Sequence, residues 1–445
     1  MELSIGAKTI INTLNQSGYK GYAVGGFVRN NLLSLPVGDL DITTDATPDK
    51  VIEIFKDYKV YPTGLKHGTV TINVNGENIE VTTFRVESGY NDNRHPDSVE
   101  FVSRLDLDLM RRDFTINAMA FDGNELVDLF GGQVDLKNKI IRAVGDAETR
   151  FEEDALRILR ALRFASVLDF TIEENTARAI EKKKHLLSFV SKERIFAELT
   201  KTLLGKGVER VLTLYKSVIF EVIPKLKLCD NFNQNSKFHA YDVYTHIVKS
   251  VAESKADRVV RWALLLHDVE KPSTYNEGIN GVGHFYGHQK KSAETAVVIL
   301  KRLKADNELI NECKKIINLH DSKTEISRGE IKVLLNKYGV KTIRYLVDVK
   351  IGDAISHAQP YADIRKENTI VYSKTIEDII SSDECFTLKR LAVNGNDLIK
   401  LGYKGSEIKE KLNSVLYDVM FNKIKNDRQI IIERLKNERG NRAKN

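Results

Sequence analysis

The chain has 445 residues, which is too long for one hydrophobic core and suggests about three domains. Hydrophobic residues make up 42% and charged residues 29%, with a net charge of +6, and this ordinary balance excludes wholesale disorder. No apolar run approaches about 18 residues and no signal-like segment opens the chain, so we expect a cytoplasmic protein without a membrane span. The three cysteines form no CxxC pair, so we expect neither a disulfide framework nor a cysteine zinc site.

The chain changes character near residue 150. Before that point, short β-branched runs alternate with turn residues, and Asn75-Gly76 between two alternating stretches predicts a β-hairpin. After it, apolar residues recur at three- and four-residue spacing and prolines are rare, which indicates helices. The predicted fold class is therefore an α+β head followed by all-α segments.

A glycine pair near the start combines with a nearby arginine. Gly25 and Gly26 follow an apolar strand segment and precede a predicted helix, so their backbone N–H groups can approach a triphosphate closely. Arg29 would add a fork of donors to the same phosphates. A glycine pair before a helix is also common where no nucleotide binds.

Acidic residues next along the chain could hold metal ions. Asp39 and Asp41 are two residues apart, which on a strand places both carboxylates on one face, where they can bind two Mg²⁺ ions. Such ions would lower the pKa of an attacking 3′-hydroxyl and offset charge on a pyrophosphate leaving group. Glu80, in a predicted strand, is the candidate third carboxylate. Alone, an Asp-x-Asp near a turn is more often a solvated loop.

A long ordered series of motifs links these features to one family. The motifs lie between residue 20 and about residue 165 and occur in this order: GGFVRN, GDLDI, KHGTVTI, EVTTFR, RHPDSVEFVSRLDLDLMRRDFTINAMA, VDLFGGQVDL and FEEDALRILRALRFA. The series resembles class II tRNA nucleotidyltransferases, the family that contains CCA-adding enzymes and bacterial poly(A) polymerases. The resemblance implies a polymerase beta-like head with an antiparallel or mixed sheet, two Mg²⁺ ions, and addition of C, C and A to the tRNA 3′ end from CTP and ATP.

The resemblance also implies individual roles. It makes Asp39 and Asp41 the metal ligands, and it makes the segment Gly89 to His95 the family's mobile loop, proposed to help the switch from C to A addition. Asn30 departs from the family, which usually has Asp there, so an ion pair by that residue is in doubt. The motif Glu193 to Leu199 is expected to hold neighbouring helices. Contacts with the nucleotide's ribose and phosphates are expected from Gly26, Arg29, Arg111, Arg112, Asp113 and Asn117.

A helical segment is predicted to choose the base. Glu153 to Arg160 has a helical pattern, and Asp154 and Arg157 are three residues apart, so an acceptor and a donor would lie side by side. Cytosine and adenine both place a ring acceptor beside an amino donor, whereas uracil and guanine reverse the two. Asp154 and Arg157 could therefore accept C and A, with Arg160 supporting them and discrimination of about 1–3 kcal/mol. The alternative is an ordinary surface ion pair.

A histidine-rich segment predicts a further metal site. His246, the doublet His267-Asp268 and Asp321 occur in the order found in the HD superfamily of metal-dependent phosphohydrolases, which they resemble. Imidazoles with carboxylates suit Mn²⁺, Ni²⁺, Co²⁺ or Mg²⁺. Lys271 and His288 could bind the phosphate, and His284 lies beside them. Glu270 replaces the usual glycine and could crowd the site, so hydrolysis, structure and dimerisation all stay open.

The basic end of the chain is predicted to bind tRNA. Residues 401–445 contain 11 Lys plus Arg and 6 Asp plus Glu, an excess of positive charge that suits a phosphate backbone. The segment GNDLIKLGYKG, together with Tyr403 and Tyr417, resembles the family's C-terminal segment, which binds the acceptor and TΨC arms. A poly(A) polymerase, an A-only or CC-only enzyme and a non-catalytic RNA-binding protein stay as alternatives, and the protein could be a monomer or a homodimer. The predicted domains are the nucleotidyltransferase head 1–145, the neck with its base-selecting helix 146–207, the body 208–235, the HD domain 236–370 and the tRNA-binding helices 371–445.

Overall fold

The structure is a computed structural model that describes residues 1–38, 40–89, 98–278 and 281–442. The chain forms two compact units, Met1–Pro224 and Lys225–Asn445. The five-segment division made from the sequence stays a prediction. Asp39 and nearly all of the segment expected to be the mobile loop lie outside the described residues.

The first unit is built on a mixed sheet. Among the described residues its strand order is β3-β4-β5-β2-β1-β8-β9, with β2 and β5 parallel and the other neighbours antiparallel. The predicted hairpin is confirmed, because β4 and β5 pair around Asn75 and Gly76, both of which have positive φ. The strands are β1 Gly21–Val24, β2 Asp41–Thr44, β3 Lys59–Gly64, β4 Thr69–Val74, β5 Glu77–Thr83, β6 Arg85–Ser88, β7 Ser98–Phe101, β8 Met119–Phe121, β9 Leu126–Asp128, β10 Ile140–Ile141 and β11 Thr171–Ile172.

Helices cover the sheet and continue beyond it in the first unit. Helix α7 packs against α9, and its inward positions Ile158, Leu159 and Leu162 are buried. Short 3-10 helices cover Leu65–His67, Thr115–Asn117 and Lys184–Phe189. The α-helices are α1 Ile5–Gln16, α2 Gly26–Leu32, α3 Pro48–Ile54, α4 Leu105–Met110, α5 Gly132–Asn138, α6 Ala147–Glu153, α7 Leu156–Val167, α8 Glu174–Lys183, α9 Lys192–Leu203, α10 Val208–Leu214 and α11 Lys216–Val222.

The predicted continuous helix from Glu153 to Arg160 is wrong. The chain leaves the helical conformation at Asp154, where φ is −139° and ψ is 101°, so α6 ends at Glu153 and α7 begins at Leu156. The Asp154 side chain accepts a hydrogen bond from the backbone N–H of Leu156 at 3.1 Å. This bond satisfies a donor at the start of α7, and aspartate is well suited to that position.

The second unit is almost entirely helical, which with the mixed sheet of the first unit confirms the predicted fold class. Trp262 and its neighbours on α13 form its fully buried centre. Within the described part of the chain, the helices all lack the length and apolar character needed to cross a membrane. The elements are α12 Val243–Glu253, α13 Arg258–Leu266, α14 Lys271–Thr274, β12 Asn276–Glu277, β13 Gly283–His284, α15 His288–Arg302, α16 Asn307–Leu319, α17 Arg328–Tyr338, α18 Val340–Ile355, α19 Tyr361–Ser381, α20 Gly395–Lys400, α21 Ser406–Met420 and α22 Arg428–Arg442.

Candidate functional site

Carboxylates and the glycine turn meet on adjacent strands of the first unit. Asp41 opens β2 and pairs with Val24, the last residue of β1, on one side and with Glu80 of β5 on the other. Directly paired residues project to the same face of a sheet, so the exposed carboxylates of Asp41 and Glu80 share a face. Gly25 follows Val24 with φ of +67°, a conformation that favours glycine. Hard oxygen donors of this kind fit Mg²⁺.

A cavity of about 430 Å³ adjoins this edge of the sheet. Arginine dominates its lining, so the cavity is strongly cationic and suits an anionic ligand. Glu80 does not line it. The lining contains the predicted residues Gly26, Arg29, Asp41, Arg111, Arg112, Asp113, Asn117, Asp154, Arg157 and Arg160, together with Gly25, Leu156, Arg163, Phe164 and Arg194.

Asp108 holds two of the cavity's arginines, and the sequence reasoning missed it. Its buried carboxylate contacts Arg111 at 2.7 Å and Arg112 at 3.2 Å, and it accepts a bond from Thr43 at 3.2 Å. Burial alone would raise the pKa of Asp108, but the two guanidinium groups lower it overall. The spacing of three and four residues from Asp108 to the arginines was a signal available in the sequence.

A chain of hydrogen bonds joins four more of the predicted residues. Arg29 donates to Asn117 at 2.6 Å, Asn117 donates to Asp113 at 3.0 Å, and Arg160 donates to Asp113 at 2.7 Å. Burial would raise the pKa of Asp113, yet Arg160 and Asn117 lower it to about 2. Burial lowers the pKa of Arg29 to about 10, although Asp113 opposes that shift. Arg160 thus pairs with Asp113, where the sequence suggested that it would support Asp154 and Arg157.

Asn30, the departure from the family pattern, orients Arg29. Its side-chain oxygen accepts bonds from Nε and Nη2 of Arg29 at 3.1 and 2.8 Å. Its amide nitrogen donates to the backbone oxygen of Pro36 at 2.9 Å. The neutral amide therefore fixes the guanidinium without cancelling its charge.

Asp154 and Arg157 line the cavity but bond to other residues. Asp154 contacts Arg194, which belongs to the Glu193 to Leu199 motif, at 3.0 Å. Arg157 donates to Glu153 at 2.7 Å and to the backbone oxygens of Arg150 and Arg111 at 3.1 and 2.8 Å. These bonds use three of the five N–H groups of a guanidinium and hold it still.

Phe164, against which arginine side chains pack, and Arg163 were both missed by the sequence reasoning. The guanidinium carbons of Arg163 and Arg29 lie 4.2 and 4.9 Å from its ring centre, within cation–π range. Glu198 of α9 contacts Arg163 at 2.9 Å. No spacing rule links Phe164 to residue 29, because the contact forms only when α2 and α7 come together in the fold.

In the second unit, helices bring buried imidazoles and carboxylates together. Nε2 of His246 lies 3.3 Å from Nε2 of His267 and 3.4 Å from Oδ2 of Asp268. Oδ1 of Asp353 lies 3.0 Å from His246 and 3.4 Å from His267. Asp353, on α18, was missed by the sequence reasoning. All four side chains are at most 5% exposed, which suits a metal centre.

Asp321, the aspartate predicted to complete this set, is not brought into it. It is 41% exposed and contacts Gln289 at 3.1 Å and Arg365 at 3.3 Å. Asp353 occupies the position expected for it. Asp321 follows α16 and Asp353 lies near the end of α18, and both come after the His-Asp doublet, so the order of residues did not distinguish them. Among the described residues, Asp353 and not Asp321 belongs to a group that could hold a metal ion.

Both histidines are held at Nδ1, His267 by a backbone carbonyl and His246 by a side-chain hydroxyl. Nδ1 of His267 lies 2.7 Å from the Leu264 oxygen, and Nδ1 of His246 lies 2.9 Å from Oγ of Ser356. An imidazole that donates from Nδ1 presents a lone pair at Nε2, the usual arrangement around a metal. Burial would lower the pKa of His267, but the carboxylates of Asp268 and Asp353 raise it to about 10. These surroundings therefore favour positive charge.

Asp268 lies at the centre of the cluster with both oxygens buried. Neither oxygen accepts a hydrogen bond of good geometry from the residues that the structure describes, although Nζ of Lys271 is 2.6 Å from Oδ2. Lys271 also contacts Gln234 at 2.8 Å. Lys271 compensates part of the buried charge of Asp268, and the imidazole nitrogens and carboxylate oxygens around it are donors that fit a divalent metal.

The remaining residues of this region lie around the cluster. Glu270, which the sequence suggested could crowd the site, turns away to contact Thr295 at 2.7 Å and Lys225 at 3.0 Å. His284 stacks on Tyr286. A cavity of about 320 Å³ opens onto the cluster and is lined by Asp268, Lys271, His284, His288, Asp321, Asp353, Arg365 and other residues.

In the basic end of the chain, the aromatic residues differ in exposure. Tyr403 is 3% exposed and donates to the Leu435 oxygen at 3.1 Å, so it belongs to the packing of the helices. Tyr417 is 46% exposed, with Lys423 5.3 Å from its ring centre.

Three family models match consecutive parts of the chain. A "Poly A polymerase head domain" matches residues 21–142, and a "Probable RNA and SrmB- binding site of polymerase A" matches residues 169–229. A tRNA nucleotidyltransferase domain 2 matches residues 285–435.

Curated relatives and a solved structure match beyond these regions. The CCA-adding enzyme of Lactobacillus helveticus is 51% identical over 48% of this chain, and there the chain spans about half of the relative's length, 53%. The CCA-adding enzyme of Bacillus pumilus is 35% identical over 95% of this chain and 94% of the relative. The crystal structure of the Bacillus stearothermophilus CCA-adding enzyme in complex with CTP is 31% identical with a TM-score of 0.71, covering 99% of this chain and 98% of that one. The chain therefore belongs to the family of CCA-adding enzymes.

Proposed function

We propose that this protein adds C, C and A to the 3′ end of tRNA, using CTP and ATP and releasing pyrophosphate. The observation that carries the proposal is the arginine-lined cavity beside Asp41, which also contains an acceptor and a donor suited to cytosine and adenine. The related Bacillus stearothermophilus enzyme, crystallised with CTP, supports the choice of nucleotide.

Arginines that neighbouring side chains fix in position would bind the triphosphate. Arg111 and Arg112 are fixed by Asp108, and Arg29 is fixed by Asn30 and Asn117, so these cations are positioned before the substrate arrives. Asp41 and Asp39, with Glu80 as the candidate third carboxylate, would hold two Mg²⁺ ions. The ions would supply activation of the 3′-hydroxyl and charge stabilisation on the leaving pyrophosphate.

Asp154 and Arg157 would select the base. Arg157 keeps N–H groups beyond the three described bonds, and these can donate to the ring nitrogen of cytosine or adenine. Asp154 can accept from the exocyclic amino group while Arg194 holds its carboxylate. Uracil and guanine would place a donor against Arg157 and an acceptor against Asp154, which costs about 1–3 kcal/mol.

Sequenced product ends would test this function. We would offer tRNA lacking CCA, lacking CA and lacking A, with each NTP and Mg²⁺, and expect C, C and A at the correct positions. Asp41→Asn should abolish all additions while tRNA binding persists, and the exposed Asp57→Asn should change neither. Runs of A on any RNA would indicate a poly(A) polymerase, additions of only A or only C a partial enzyme, and tRNA binding without any addition a non-catalytic protein.

A second candidate function, hydrolysis of phosphoesters, is favoured by the buried cluster in the second unit. His246, His267, Asp268 and Asp353 would hold Mn²⁺, Ni²⁺, Co²⁺ or Mg²⁺, with the predicted Asp321 nearby on the cavity wall. A cation held there would supply Lewis-acid chemistry for cleaving a phosphoester. Lys271 and His288 are the predicted phosphate contacts.

Metal-dependent hydrolysis would test the second function. A phosphomonoester and a 2′,3′-cyclic nucleotide would be offered with each cation, and His267→Ala should remove the activity. His284→Asn is the matched control, because His284 lines the same cavity but belongs to none of the groups of described residues that could hold a metal ion. Activity that survives His267→Ala would place the hydrolysis elsewhere.

The tRNA is proposed to contact the C-terminal helices by shape and backbone charge. Exposed Tyr417 and the basic residues around it are the candidate contacts, whereas buried Tyr403 supports the helices. We propose a cytoplasmic location, and the monomeric or homodimeric state is open to measurement.

A further inference from the structure

A smaller cavity, of about 240 Å³, lies in the second unit next to the cavity that opens onto the buried imidazole cluster. Asp321 and Arg365 line both cavities, so the two spaces adjoin at these side chains. The smaller cavity is formed by the loop between α16 and α17 and by the helices α18 and α19. Its lining is polar and includes hydrogen-bonding side chains from Ser322, Thr324 and Asn368.

Lys350 is a buried cation in the lining of the smaller cavity. It is 6% exposed, and its Nζ donates to the backbone oxygen of His320 at 2.7 Å and to that of Ser322. In the part of the chain that the structure describes, no carboxylate forms an ion pair with it. Burial lowers the pKa of Lys350 to about 8, although Asp321 opposes that shift. An ammonium group has three N–H donors, so one of them remains for an anionic ligand that would compensate the buried charge.

Arg365 offers further donors at the boundary between the two cavities. Its Nη2 donates to Asp321 at 3.3 Å and to Asp353 at 3.1 Å. Nε and Nη1 form no hydrogen bond with the residues that the structure describes, and the side chain is 38% exposed. The guanidinium therefore keeps N–H groups that can reach a ligand, and their planar arrangement suits a phosphate.

The carboxylates that line the smaller cavity already have partners. Asp321 accepts a bond from Gln289 at 3.1 Å, and Glu325 accepts one from Asn368 at 2.7 Å. The lining contains three cationic side chains, because exposed Lys323 joins the two cations described above. Its net charge is therefore positive, and an anion fits it better than a metal ion does.

We propose that the smaller cavity binds a second phosphate group of the phosphoester that is cleaved at the imidazole cluster. This inference rests on the proposed hydrolysis and adds its substrate class, a phosphoester that carries two phosphates. Lys350 and Arg365 contact the second phosphate, and Lys323 attracts it from the rim. The path between the two sites is short, because His320, whose backbone oxygen holds Lys350, has its ring nitrogen 3.6 Å from Oδ1 of Asp268.

Hydrolysis of matched substrates tests the second phosphate position. Adenosine 3′-monophosphate, adenosine 3′,5′-bisphosphate and a diadenosine dinucleotide with a 3′-terminal phosphate would be compared with Mn²⁺ present. We expect KM to be about 10-fold lower for one of the doubly phosphorylated substrates, with a similar kcat, because a charge-assisted hydrogen bond is added in the ground state. The substrate with the lower KM shows whether the second phosphate lies on the same nucleoside or on the next one. Equal KM values for all three would overturn the proposal.

Substitutions assign the preference to this cavity. In Lys350→Met, KM for the preferred substrate should rise about 10-fold, toward that of the monophosphate. Lys350 also holds two backbone carbonyls, so the exposed Lys323→Glu serves as a second variant that places a carboxylate at the rim and should weaken the preference. Lys341→Met, at an exposed position on the same helix α18, is the matched control and should keep the preference. A preference that survives both Lys350→Met and Lys323→Glu would overturn the proposal.

A binding measurement separates this inference from the hydrolysis on which it rests. Equilibrium dialysis of the labelled dinucleotide against the full-length chain in the presence of a chelator measures affinity without turnover. Lys350 belongs to the second unit, so binding by the head contributes equally to wild type and Lys350→Met. Weaker binding by Lys350→Met in a chain that hydrolyses nothing would uphold the phosphate position and reject the hydrolysis. Equal affinities, or no binding at all, would overturn the phosphate position.

Discussion

The three arginines proposed to bind the triphosphate are held by side chains that take no direct part in binding a nucleotide. Asp108 fixes Arg111 and Arg112, and Asn30 fixes Arg29. Long cationic side chains lose rotamer entropy on binding, so holding them beforehand reduces that cost. The cavity is thus organised before a triphosphate enters.

Asp154→Asn should weaken base selection. The amide would present donors where the carboxylate presents only acceptors, so we expect kcat/KM for CTP and ATP to fall roughly 10- to 100-fold, matching about 1–3 kcal/mol, and the preference over UTP to shrink. Single-nucleotide incorporation assays measure it. The exposed Glu152→Gln, two residues earlier, is the control, and an unchanged ratio of CTP to UTP would contradict the selecting role.

Asp113 should make stability depend on pH. Because the folded chain lowers its pKa from 3.8 to about 2, its contribution is present above about pH 4 and is lost as pH falls toward 2. The difference in unfolding free energy between wild type and Asp113→Asn, on the order of 2 kcal/mol at neutral pH, should shrink below pH 4. Urea unfolding of both at several pH values measures this. A constant difference down to pH 3 would contradict it.

The sequence predicted most of the residues that line the cavity but not all of the side chains that fix its arginines in position. Asp108 could have been found from its spacing to Arg111 and Arg112. Arg163 and Phe164 could not, because their contacts join α2, α7 and α9 across the fold. Asp353 was missed for a similar reason, since only the packing of α12 and α18 brings it to His246.

At the scale of elements, the break between α6 and α7 decides where the base-selecting residues lie. The apolar spacing continues through Asp154, so periodicity predicted one helix. A single residue with extended backbone does not alter that spacing, yet it redirects the chain. Asp154 therefore lies before α7, whereas Arg157 lies within it.

Gly205→Ala should disturb α7. A Cβ at Gly205 would lie 2.4 Å from the backbone carbon of Ser166 and 2.6 Å from its oxygen, so α7 would have to move. We expect a loss of about 1–3 kcal/mol in the unfolding free energy of the first unit. Chemical denaturation measures it. Gly38→Ala should have a small effect, because apart from its chain neighbours no heavy atom of the described residues lies within 4 Å of the added Cβ. Equal effects would contradict the packing argument.

At the scale of the whole molecule, the α+β head followed by helices was predictable, because the change from alternating to helical spacing is strong. The described residues that line the arginine cavity all belong to Met1–Pro224, and those of the imidazole cluster all belong to Lys225–Asn445. The described residues of each candidate site therefore come from a single unit.

A fragment of residues 1–224 should bind CTP as the full-length chain does. Calorimetric titration of both with CTP and Mg²⁺ measures this, and circular dichroism verifies that the fragment is folded. The Asp41→Asn fragment is the control, in which binding should weaken. A folded fragment that does not bind CTP would show that the second unit is needed for the nucleotide site.

The amide at Asn30 has a consequence for turnover. A carboxylate at this position would neutralise the positive charge of Arg29, whereas the amide does not. The remaining positive charge attracts any polyphosphate. Pyrophosphate is a polyphosphate too, so the group that helps capture the substrate also delays departure of the by-product. We expect release, more than chemistry, to limit the speed of successive additions.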